Sequence, residues 1–121
     1  MTSAREVRKE LAGPYRQLQE HIPDVLKAFG AVHGAAMADG VLPAKVKELI
    51  ALAIGATREC DGCIAAHALG AARQGATQAE VAEAMAVVVM MNGGPGTVWG
   101  PRALAAHQEF AQPNPSAVRA A

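Results

Sequence analysis

Aromatic side chains are scarce in this chain of 121 residues: one Trp, one Tyr and two Phe, 3% of the total. The apolar share of 51% leans on alanine instead, so the packing must be that of helices brought close through small side chains. An excess of either charge is missing as well. Lys plus Arg and Asp plus Glu stand at 11 each, with a pI near 6.9. Nothing in that balance attracts a polyanion or an anionic membrane, which sets aside nucleic acid and membrane as partners. No apolar run approaches the ~18 residues that cross a bilayer, and the opening MTSAREVRKE carries charges but no apolar leader segment. The expected compartment is the cytoplasm. Cysteine is confined to Cys60 and Cys63. In a reducing compartment so close a pair is more often catalytic, redox-sensing or metal-binding than structural, and closing so short a loop constrains little of the unfolded chain.

What the chain does have is one dense stretch, KELIALAIGATRECDGCIAAHALGAARQ, from Lys47 to Gln74. Read as a helix beginning near Cys60, it turns 100° per residue and puts Cys60, Cys63, Ile64, His67, Gly70 and Ala71 on one face. The unpaired amides of a helix N-terminus favour a thiolate. His67, one turn beyond Cys63, has an ordinary pKa of about 6.5 and can trade a proton with a thiol at neutral pH. In the preceding helix Val46, Leu49, Ile50 and Ala53 are expected to form the core stripe. Glu48 then shares the other side with Ala51, Leu52 and Gly55, an apolar setting that suits a proton relay. The short Arg58-Glu59 link makes the two helices antiparallel neighbours.

Glu48, eleven intervening residues, Cys60-x-x-Cys63 and His67 together resemble the AhpD-like alkylhydroperoxidase branch of the carboxymuconolactone decarboxylase family. The resemblance extends over residues 20 to 95, through Asp39-Gly40-Val41-Leu42 and Thr77-Gln78-Ala79-Glu80. It implies an all-α, single-domain fold of about six helices and a thiol-dependent peroxidase that reduces hydroperoxides. It also implies assembly as a homo-oligomer, a trimer or hexamer, with no tightly bound cofactor and an external dithiol reductant, lipoyl-type or other, either a protein or a small molecule. By position, Cys63 would be the peroxidatic cysteine and Cys60 its resolving partner, the two closing a redox disulfide, with His67 and Glu48 as the relay. The best-studied members place a histidine where this chain has Gly62, which implies a shorter relay or a different substrate.

Along the rest of the chain, residues 1–21 read as an N-terminal helical arm, capped by Ser3 and interrupted at Gly13-Pro14, with a second helical piece up to Glu20. Residues 22–111 read as the domain and 112–121 as a flexible tail. A helix from Ile22 to Ala38 presents Val25, Leu26, Phe29, Val32, Ala36 and Met37, with Gly40 as a left-handed stop. Gly75 closes the cysteine helix, and Thr77 with Glu80 is a capping box. The helix that follows, with Val81, Ala84, Met85, Val88 and Val89 inward, is apolar nearly all round and is expected to be buried, partly by another subunit. Asn92 to Gly96 reads as a turn, and a last helix runs from Thr97 to Phe110 with Pro101 in its first turn. His33 and Trp99 stand behind the four motif residues as pocket candidates.

Two other chemistries use the same residues. A cofactor-free decarboxylase or isomerase of a lactone acid would need His67 and Glu48 but neither cysteine. A zinc-binding or redox-regulated interaction protein would take Cys60, Cys63 and His67 as ligands, with Glu48 or His33 as a fourth.

Overall fold

The computed structural model describes residues 2–112, and these form six helices and no strand. They are α1 (Ala4–His21), α2 (Pro23–Met37), α3 (Ala44–Thr57), α4 (Asp61–Arg73), α5 (Gln78–Asn92) and α6 (Gly94–Ala111). None of them is long and apolar enough to cross a membrane. Of the expected tail only Gln112 lies within the described residues.

Local chemistry sets most boundaries. Ser3 and Glu6 form a capping box at α1, and Thr77 and Glu80 form another at α5. Gly75, at φ 80°, and Gly93, at φ 66°, turn the chain where a side chain would strain it. Four boundaries differ from the sequence reading. Gly13-Pro14 does not interrupt α1: Gly13 has no Cβ to collide with the proline ring, and the turn around it is exposed, so water can take the carbonyl that Pro14 leaves free. Gly40 is not left-handed; α2 stops at Met37, and the Asp39 carboxylate takes the Ala44 amide at 2.6 Å to start α3. Gly94-Pro95-Gly96 is the first turn of α6 rather than part of a loop, and Pro101 lies inside the helix. A side chain at Gly96 would strike the backbone of Val89 and Val88, so glycine is what lets α5 and α6 cross so closely.

The interior lies around α6, which packs against α4 on one side and α5 on the other, with α3 across all three. Among the described residues nine of the fifteen buried apolar residues are alanine, and the largest fully buried side chains are Leu52, His107 and Val81. The α3 stripe is rotated from expectation: Leu52, Gly55 and Ala56 are buried while Ile50 is exposed. Glu48 therefore points along the inward side. Likewise Val87, Met90 and Met91 stand at 56%, 70% and 71% exposure, so α5 is only half covered by its own chain. No residue of α2 is buried at all. Its predicted apolar stripe exists but faces outward.

Candidate active site

The site forms where α3 turns back into α4. Glu59 takes the left-handed region at φ 54°, and the Cys60 amide donates to the Gly55 carbonyl at 3.1 Å, reversing the chain within the link. The two helices run antiparallel, because Gly55 late in α3 lies against Cys63 early in α4, while Glu48 early in α3 lies against Gly70 late in α4.

Cys60 is the N-cap of α4, and its Sγ accepts the Cys63 amide at 3.2 Å. Cys60 and Cys63 are joined as a disulfide with their Cα atoms 5.2 Å apart. Cys60 is half-buried and Cys63 exposed, so the bond is within reach of a reductant. Opposite fields act on the pair once it is reduced. The α4 amides favour thiolate, whereas Asp61 and Glu59 beside Cys60 carry negative charge.

One turn on, His67 Nδ1 bonds Glu48 Oε2 at 2.9 Å, with the two side chains 21% and 13% exposed. With the carboxylate as acceptor, Nδ1 carries the proton and Nε2 is left as the ring's basic nitrogen. A histidine oriented by a sheltered carboxylate can take and return a proton without turning. His33 of α2 stacks on the same ring, centroids 5.9 Å apart and planes 20° from parallel. The four motif residues and His33 are thus gathered in one place. Among the described residues no group of three or more His, Cys, Asp or Glu is disposed to hold a metal ion.

Trp99 is elsewhere. It walls a cleft of about 480 Å³ on the other side of α4, with Asp61, Ile64 and Ala65 along one edge, and Arg102 lies over its ring at 4.5 Å. The face expected from helical spacing also divides, since Ile64 and Ala71 turn into the core while Cys63 and His67 do not.

Three contributions were not apparent from sequence. A Cβ on Gly70 would overlap the Glu48 carboxylate, so the missing side chain is the space in which the relay sits. A Cβ on Gly55 would stand 3.1 Å from the Cys63 Cβ, which brings α3 directly behind the reactive turn. A Cβ on Gly62 would meet Leu11 Cδ1 at 3.0 Å: the N-terminal arm occupies the place where a larger residue between the cysteines would project. Glycine is the visible signal for all three, but its meaning depends on which helix crosses it.

Residues 23–108 match the Carboxymuconolactone decarboxylase family. An uncharacterised protein of Cupriavidus necator is 41% identical over 96 residues, which span 79% of this chain and 85% of that protein. A second, from the cox locus of Paracoccus denitrificans, is 38% identical over 83 residues, 69% of this chain and 75% of its own. The fold overlays that of a carboxymuconolactone decarboxylase family protein from Legionella pneumophila with a TM-score of 0.86 at 31% identity, over 90% of this chain and 97% of the other.

Proposed function

This chain belongs to the carboxymuconolactone decarboxylase family, and from that premise we propose that it is a thiol-dependent peroxidase, reducing hydroperoxides through a Cys60–Cys63 dithiol and disulfide cycle. The observation that carries the reading is the joined cysteine pair at the amide end of α4, one turn from a histidine held by Glu48.

In the reduced protein, His67 Nε2 takes the Cys63 proton, and the thiolate attacks the outer oxygen of the peroxide. The O–O bond breaks, Cys63 becomes a sulfenic acid, and the leaving alkoxide takes a proton to depart as alcohol. The Cys60 sulfur then attacks the Cys63 sulfur and expels water, closing the disulfide. Two electrons pass from the thiol pair to the peroxide. A dithiol supplied from outside, protein or small molecule, restores them by thiol–disulfide exchange, for which an exposed Cys63 sulfur offers the point of attack.

Mass spectrometry after adding one equivalent of hydroperoxide to the reduced protein tests this. A loss of about 2 Da confined to the peptide holding Cys60 and Cys63 is expected, while Cys60→Ser should stop at a sulfenic acid trappable on Cys63. Thiols left unchanged would remove the peroxidase reading, and lactone-acid turnover surviving the double serine variant would replace it with proton-transfer chemistry by His67 and Glu48.

A further inference from the structure

α2 turns one side toward the rest of the chain. Leu26, Gly30, His33 and Met37 share a helical stripe, and Leu26 and Met37 are the half-buried members of a helix otherwise exposed. At backbone distance α2 has only α1 and α3 as neighbours. His33 reaches past both: its ring lies over that of His67 on α4, centroids 5.9 Å apart and planes 20° from parallel. That separation falls in the ~4.5–7 Å over which aromatic rings attract when stacked with an offset.

Three sides of the His67 ring are then accounted for. Glu48 takes the Nδ1 edge at 2.9 Å, His33 takes one face, and Nε2 is left for the thiol. Once His67 has accepted the Cys63 proton it is a cation with only 21% of its side chain open to water. The Glu48 carboxylate meets that charge in the plane of the ring. The electron-rich face of an uncharged aromatic ring meets it from above, as aromatic faces do for other cations.

We infer that His33 is a positioning residue of the relay that acts through its π face: stacked on the His67 imidazolium, it stabilises the thiolate–imidazolium pair and raises the share of Cys63 present as thiolate. The proton passes from Cys63 Sγ to His67 Nε2, and His33 exchanges none. A cation over an aromatic face at an open site moves such an equilibrium roughly two- to fivefold. The inference rests on the dithiol reading above in one respect, that His67 is the base for Cys63.

In Cys60→Ser, where Cys63 is the one thiol of the chain, the rate of alkylation by neutral iodoacetamide reads the thiolate share. The measurement is made at about pH 7.5, where an ordinary imidazole is mostly uncharged. His33→Leu, of similar bulk but without a π face, should slow alkylation roughly two- to fivefold. His33→Asn, a polar substitute without a ring, should do the same, and His33→Phe should restore the parent rate. In a His67→Gln background all three should alkylate as their parent does, because the partner of the stack is gone. No residue of α2 is buried, so these substitutions leave the interior alone. A parent rate in the leucine and asparagine variants overturns the proposal. So does a phenylalanine variant as slow as leucine, or a slowing that persists without His67. Peroxide is absent throughout, so a chain that alkylates in the expected pattern yet leaves hydroperoxide untouched keeps the role of His33 and loses the peroxidase reading alone.

Discussion

Glu48 reaches His67 because position 70 is empty. Gly70→Ala is therefore expected to swing the carboxylate away, and since only the end of a flexible side chain has to move, unfolding in urea should change by less than about 1 kcal/mol while thiol oxidation slows about tenfold or more. Unchanged oxidation kinetics would show that Glu48 finds His67 by another route. His107 is the converse case, a polar residue serving the fold. It is 1% exposed, donates from Nε2 to the Ala76 carbonyl at 2.8 Å and receives the Gln78 amide at Nδ1, joining α6 to the turn between α4 and α5. His107→Phe leaves both partners unpaired in the interior and should cost roughly 3 kcal/mol in urea melts without altering thiol chemistry. Sequence showed Glu48, His67 and both cysteines because their spacing along α3 and α4 is local. Gly70, Gly55 and the bonds of His107 join different elements, and no spacing within one helix reveals them.

At the scale of the helix, the link before α4 holds Glu59 left-handed at φ 54°. Glu59→Gly should relieve that conformation and raise stability by up to about 1 kcal/mol, less whatever the freer unfolded chain takes back. A fall in the melting temperature would mean that the side chain earns its place by contact. At α5, the Thr77 amide and then Lys45, 2.9 Å away, hold the Glu80 carboxyl below its usual 4.5. A depressed folded value means the contribution is whole above the unfolded pKa and is lost as pH falls through the folded one. Protection from amide exchange in the first turn of α5, taken relative to the unstructured chain at each pH, should fall below about pH 4.5 in the wild type and stay level with pH in Glu80→Gln. Helix existence was legible wherever caps are written in the sequence, as at α1, α4 and α5. The inward stripe of α5 was legible too, since Val81, Met85 and Val88 are buried as expected; the direction α2 faces was not, because an apolar stripe says that it must be covered and not by what.

For the molecule as a whole, large apolar side chains and the interior have largely parted company. Among the described residues sixteen of the former are exposed, against nine alanines among fifteen buried apolar residues. If copies of the chain cover those surfaces, the thermal midpoint should rise with protein concentration, by mass action, in differential scanning; a midpoint independent of concentration would say that the alanine interior suffices. Fold class was readable at this scale from composition, since few aromatics and much alanine leave helices as the way to pack. The alanine interior also limits how such a protein can change. A methyl group is nearly the least a position can hold, so at Ala65, Ala68, Ala71 and Ala103 almost every available replacement is an enlargement that forces helices apart. Adaptation to heat or to a new substrate then has little room inside, and descendants of this sequence would record their history mostly on the outward faces of α2, α3 and α5.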